Sequence, residues 1–222
     1  MCYSAPVSLN TFIFSLITSS YIFYRNKTND RPLAVWLFIT SLMQLFEFFM
    51  WTDYNNSKGW NNISTKLSFI FLVSQPLVLS IGLYLYGSYY KNNIINIIII
   101  ILSILLLIRL ILVTKYVITN QDTWVSQAGP NCHLIWYYSK NENYSKLPWY
   151  CKYEKILFLI PLMFFLLLIR PYPLNIIYFL LGSVSLLLLR IKYPEEFGSH
   201  WCWISNFLGI IIILSKNKFI KL

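Results

Sequence analysis

The sequence predicts an all-α polytopic membrane protein, a bundle of seven transmembrane helices, on three observations. Of the 222 residues, 57% are hydrophobic and only 12% are charged, with a mean hydropathy of +0.57. That is too little charge to coat a water-soluble domain of this size. The apolar residues are gathered into long runs separated by charged or Pro- and Asn-rich breaks. Ile97 to Leu107 is apolar on every side apart from Ser103, which excludes the alternating pattern of a β-barrel strand.

About 20 helical residues cross the hydrocarbon of a bilayer, and seven runs qualify: 6–24, 33–51, 67–89, 94–113, 156–170, 174–190 and 201–215. The first follows Met1-Cys2-Tyr3-Ser4 with no Lys or Arg ahead of it. It therefore lacks the basic start of a cleavable signal and reads as a retained span. The second follows the basic stretch Arg25, Lys27 and Arg31, and the third carries Gln75-Pro76. The fourth is followed by 114–155, the only sizeable loop. Runs five and six are parted by Arg170-Pro171-Tyr172-Pro173, where two prolines favour a helical hairpin over one continuous helix. The seventh begins at Trp201. Residues 1–222 form a single membrane domain, with no internal repeat of the transporter kind.

Positive charge marks the cytoplasmic side of short loops. With the N-terminus outside and the C-terminus cytoplasmic, the inner side carries Arg25, Lys27, Arg31, Lys91, Arg170, Lys216, Lys218 and Lys221. The short outer loops carry only Lys58, Lys66, Arg190 and Lys192. The long loop, with Lys115, Lys140, Lys146, Lys152 and Lys155, is outer at lower charge density. Glycosylation sequons at Asn55, Asn62 and Asn143 then face outward and one at Asn26 inward. The net charge of +10 is spread over both sides rather than gathered in a stripe, so the expected partner is the lipid bilayer and not nucleic acid.

In this orientation all four cysteines, Cys2, Cys132, Cys151 and Cys202, lie on the outer side and are disulfide candidates. Cys132 with Cys151 is the simplest pairing, leaving Cys2 with Cys202. His133 and His200 neighbour two of them, but no metal-binding spacing is present, so neither a metal nor another cofactor is expected. Ionisable residues inside a span are costly and informative. Glu47 follows Gln44 on one face of the second helix, with Trp51 extending it. Gln75 and Arg109 lie at comparable depth, and His200 and Trp201 open the last span. These seven residues are the expected ligand-binding set, in the outer half of the bundle. A purely structural alternative pairs Glu47 with Arg109 and uses Gln44 and Gln75 as interhelical bridges.

Five short blocks carry a family resemblance: Met1-Cys2-Tyr3-Ser4; Met43-Gln44-x-x-Glu47 with Trp51; Ser74-Gln75-Pro76; Gly129-Pro130-Asn131-Cys132-His133-Leu134 with Trp136; and Phe197-Gly198-Ser199-His200-Trp201-Cys202-Trp203. In this order the chain resembles a family of small multi-spanning membrane proteins of large DNA viruses and, more remotely, bacterial seven-span proteins. The resemblance implies a viral or host membrane and membership without an activity.

No catalytic signature is present, so enzyme function is not expected. The leading expectation is binding or transport of a small solute or lipid through the polar site. The alternatives are an assembly protein of a viral or organellar membrane, and an intramembrane lipid hydrolase using Ser4, Ser199, His200 or a Cys/His-bound metal. A retinal pump is excluded, because no lysine lies between Trp201 and Leu214.

Overall fold

A computed structural model describes residues 4–87, 93–152, 155–169, 180, 182, 184–185, 187–189, 191–193 and 195–215. Among these, five helices are long and apolar enough to cross a membrane: Ala5–Arg25, Asp30–Thr52, Trp60–Tyr86, Asn93–Thr119 and Phe197–Leu214. The first four are α1 to α4. They fit an integral membrane protein of the all-α class.

Helix α1 starts with Pro6 in its first turn, where the missing N–H costs nothing. It ends at Asn26, whose left-handed backbone (φ 50°) returns its N–H to the Ile22 carbonyl. Its buried stripe is made of small hydroxyl residues, Ser8, Thr11, Ser15, Thr18 and Ser19. Such residues let helix backbones approach closely where lipid offers no hydrophobic drive for association. Helix α2 packs between α1 and α3, and α3 packs on α4. Helix α4 buries only Ile99, Leu106, Arg109, Val113 and Val117, one stripe along its length. The rest of it is apolar and outward-facing.

The fifth run is shorter than expected. A five-residue π-helical turn, Lys155–Leu159, leads into α7, Ile160–Leu167. The apolar helix Leu157–Leu167, at about 1.5 Å per residue, reaches about halfway across a bilayer. It packs on α3 through the core residues Leu162, Phe165 and Leu166. The expected hairpin at 170–173 lies outside the described residues, as does most of the run 174–190.

The last span is two helices, α8 (Phe197–Asn206) and α9 (Leu208–Ser215). They meet at Phe207, whose N–H bonds to the Ile204 carbonyl. Ser205 Oγ and Asn206 Nδ2 both donate to the Cys202 carbonyl beside this break.

The segment expected as a loop at 114–155 is instead a folded cap. Helix α4 continues to Thr119. Beyond it, strands β1 (Gln127–Ala128) and β2 (Leu134–Ile135) pair antiparallel. A 3-10 turn at Tyr137–Ser139 and short helices α5 (Asn141–Lys146) and α6 (Trp149–Lys152) follow. The cap buries Trp124, Trp136 and Tyr138 against α2, α3 and α4. Asn61 of α3 bonds Ser126 twice, at 3.0 Å each, from Nδ2 to the Ser126 carbonyl and from the Ser126 N–H to Oδ1. Thr65 Oγ1 shares a hydrogen bond with Ser126 Oγ at 2.8 Å. These polar residues at the start of α3 account for that helix beginning at Trp60 rather than at 67.

At the opposite end, Arg25 pairs with the buried Asp30, Nε to Oδ2 at 2.8 Å. It also donates to the Ile212 and Ile213 carbonyls. These carbonyls lie in the last described turn of α9.

Candidate functional site

Three elements converge under the cap. Helix α2 brings Gln44 and Glu47, α8 brings Ser199, His200 and Cys202, and the cap brings His133 and Trp136. Two glycines allow this approach. A Cβ on Gly198 would lie 2.5 Å from the Trp136 ring, and one on Gly129 would lie 2.4 Å from the Glu196 carboxyl carbon. The indole of Trp136 therefore sits directly on the first turn of α8.

Gln44 Nε2 donates to Glu47 Oε2 at 3.1 Å. The Ser199 hydroxyl, the Trp136 indole and the Cys202 thiol face the same carboxyl group. Even so, neither Glu47 Oε1 nor Gln44 Oε1 completes a hydrogen bond, and the Trp136 indole N–H faces the carboxyl without reaching good hydrogen-bond geometry, although all three side chains are buried. Each such group costs about 1–3 kcal/mol when left unsatisfied. The cluster is thus two acceptors and one donor gathered around a carboxyl and enclosed by apolar side chains.

Above it, His133 Nδ1 lies 3.4 Å from Ser199 Oγ. The His133 ring lies against that of His200, centroids 3.2 Å apart and the planes tilted by 32°. His200 Nε2 is 3.8 Å from Glu196 Oε2, and Tyr193 stacks on His200 at 4.5 Å. Glu196 Oε1 accepts from both the N–H and Nδ2 of Asn131. Burial, and secondarily the nearby His200, push the His133 imidazole down to about 3, so it is neutral at physiological pH. Among the described residues, no three His, Cys, Asp or Glu side chains surround a common point where a metal could sit.

Of the seven sequence-predicted site residues, Gln44, Glu47 and His200 belong to this neighbourhood. Arg109 does not pair with Glu47, which corrects the structural alternative. Its Nε and Nη1 donate to the carbonyls of Tyr150 and Leu157, both at 3.0 Å. It lines a different cavity of about 310 Å³ with Leu105, Trp149 and Pro161. Trp201 lines another, of about 180 Å³, with Gly182, Ile204 and Leu208. Trp51 stacks on Tyr54. Gln75 is fully buried with neither amide atom bonded, and no hydrogen bond joins it to Glu47.

The cysteines also differ from expectation. Cys132 is in a disulfide, whereas Cys151 and Cys202 are buried thiols. Both expected pairings, Cys132 with Cys151 and Cys2 with Cys202, are therefore corrected, and Cys2 itself lies outside the described residues. Ser199, His133, Trp136 and Glu196 were absent from the expected set. The signal for the first three was present in the blocks 129–136 and 197–203, which the fold brings face to face.

Compared with protein-family models, with characterised proteins and with solved structures, the chain matches none.

Proposed function

We propose that this chain is an integral membrane protein that binds a small polar solute beneath its cap, at Glu47, Gln44 and Trp136. One observation carries the reading: the buried acceptors Glu47 Oε1 and Gln44 Oε1 complete no hydrogen bond, with the Trp136 indole N–H facing the same carboxyl. Intramembrane carboxyl groups that face no fixed counter-ion mark substrate or ion sites. Two acceptors to one donor favour a solute rich in N–H groups. The cap end is read as the non-cytosolic end, so the solute enters from outside. Membership of the viral membrane-protein family is part of this proposal, because its motif blocks supply the site.

The test is thermal stability of purified protein with urea, ethanolamine and ammonium as probes. A bound solute at a hundredfold its Kd stabilises by about 2.7 kcal/mol, and the shift is lost in Glu47→Leu. If none of the three shifts the transition, the reading fails.

A hydrolytic reading has one specific observation in its favour, the approach of His133 Nδ1 to Ser199 Oγ. Covalent labelling of Ser199 by a fluorophosphonate would establish it, and an unlabelled Ser199 in folded protein would remove it.

A further inference from the structure

Arg109 walls a cavity of about 310 Å³ that is separate from the Glu47 cluster. Pockets that take small ligands begin at about 300 Å³. One side of the cavity is α4, through Leu105 and Ile108, and the other is formed by Trp149 of α6 with Leu157 and Pro161. Leu105, Ile108 and Trp149 are exposed, Trp149 at 65%. The mouth is therefore oily, and on a membrane-spanning helix it opens to lipid, with a tryptophan of the kind that settles at the membrane–water boundary on its rim.

The depth of this groove follows from α4. The helix has 27 residues, and about 20 cross the hydrocarbon, which counted from Asn93 end near Leu112. Arg109 thus lies just inside the cap-side edge of the hydrocarbon, and Lys115 just beyond it. Lys115 is exposed. It follows Ile108 by two helical turns, so it stands on the same face of α4, about 10 Å nearer the cap. A long cationic side chain in hydrocarbon ordinarily reaches out to the interface. Arg109 is tied down instead: it is 6% exposed, and its Nε and Nη1 donate to the Tyr150 and Leu157 carbonyls at 3.0 Å. These two bonds fix the guanidinium as one wall of the groove.

We propose that the groove holds one phospholipid of net negative headgroup, drawn from the leaflet on the cap side. Its acyl chain lies along Leu105, Leu112 and Pro161, its glycerol esters come level with Arg109, and its phosphate lies at the height of Lys115. The oily walls select the chain, and two cations at successive depths along α4 select the head. A free anion would have to shed its hydration to enter such a mouth. A peptide would bring backbone N–H and C=O groups that hydrocarbon walls leave unsatisfied. A lipid brings an apolar tail and an anionic head in the same order as the groove and its cations. This site stands apart from Glu47 and does not depend on the solute reading.

Shape and charge make separable contributions. A lipid with a neutral headgroup gains the same chain contacts, so only the attraction of the cations distinguishes an anionic one. Near a membrane surface one Lys or Arg favours an anionic lipid by a factor of about five. Lys115→Gln removes that factor and leaves the groove its shape. Leu105→Trp does the reverse, filling the groove and keeping both cations. Both positions are exposed, so neither change disturbs the packed core.

The experiment is native mass spectrometry of the full chain, purified in detergent, stripped of lipid and titrated with phosphatidylglycerol or phosphatidylcholine of identical acyl chains. The first equivalent of phosphatidylglycerol should bind at least about fivefold more tightly than that of phosphatidylcholine. Lys115→Gln should lower this preference about fivefold, and Leu105→Trp should abolish the first tight equivalent of both lipids. Equal affinity of the wild-type chain for the two lipids overturns the proposal. So does a preference that is unaltered in Lys115→Gln, or a tight equivalent that survives in Leu105→Trp. Should Leu105→Trp not fold, Ile108→Trp, at a similarly exposed position on the same wall, takes its place with the same two outcomes.

Discussion

Gly198 shows how much of the site turns on a single missing atom. Its hydrogen occupies the place where any Cβ would press on the Trp136 ring at 2.5 Å, and both partners are buried. Gly198→Ala must therefore displace the indole or the start of α8. Overpacking of this kind costs about 1–3 kcal/mol, measurable as a lowered unfolding temperature in detergent, and Trp136→Leu in the same chain should recover part of it. Asp53 makes a different prediction. Burial works against its charge, but hydrogen bonds from the Lys58 and Trp60 N–H groups and the Ser57 hydroxyl outweigh it and hold the carboxyl below its ordinary value. Its contribution to stability is present at neutral pH and lost as pH falls through that lowered value. Asp53→Asn should thus flatten the acid limb of the pH–stability curve. The cysteines are read by mass spectrometry: under denaturing, non-reducing conditions Cys151 and Cys202 should alkylate at once and Cys132 only after reduction. Glu47 and Gln44 were legible in sequence because a carboxyl and an amide three residues apart stand out in an oily run. The partner of Arg109 was not legible, because it consists of main-chain carbonyls, which every residue owns. That His133 packs against His200 was not legible, because the contact joins positions 67 apart in the chain.

At the level of elements, hydropathy found the long spans and misjudged their ends for one reason. The first turns of α3 carry Asn61, Ser64, Thr65 and Ser68, all buried, and polarity in a sequence reads as exposure to water. Here it reflects a polar interface with the cap. The same interface turned an apparent loop into folded structure, since its strands are two residues each and leave no periodic trace. The fifth run is apolar throughout, and its described apolar helix is the short Leu157–Leu167. Arg25 is the clearest test at this scale. It ties the end of α1 to the start of α2 through Asp30 and to the end of α9 through two carbonyls. Removing one member of a buried pair leaves the other uncompensated, at a cost of about 3–5 kcal/mol. Arg25→Met should lower stability by that order, and Asp30→Asn added to it should return part of the loss because the stranded carboxylate is gone. No return in the double variant would mean that the carbonyl contacts to α9, rather than the ion pair, hold this end together.

For the whole molecule, the two ends of the bundle have opposite chemistry. One end carries the cap, the buried carboxyl of Glu47 and the histidine pair. The other carries Arg25, Lys27 and Arg31, with Arg31 lying over the rings of Phe23 and Tyr86. The positive-inside rule predicts the second end in the cytosol, and the proposed solute site opens outward only if the first end meets the outside. Sequons cannot decide the matter as simply as their positions suggest. Asn62 Oδ1 accepts from the Trp124 N–H and Asn143 Nδ2 donates to the Tyr137 carbonyl, so both amides are engaged in the fold. Thiol labelling decides it directly, because the turns at both ends are exposed while Cys151 and Cys202 are buried. Asn55→Cys, in the turn between α2 and α3, should react with a membrane-impermeant maleimide in intact cells. Thr28→Cys, in the turn between α1 and α2, should react only after permeabilisation. The reverse pattern would turn the molecule over, place the cap and its histidines in the cytosol, and remove the outside route for a solute to Glu47.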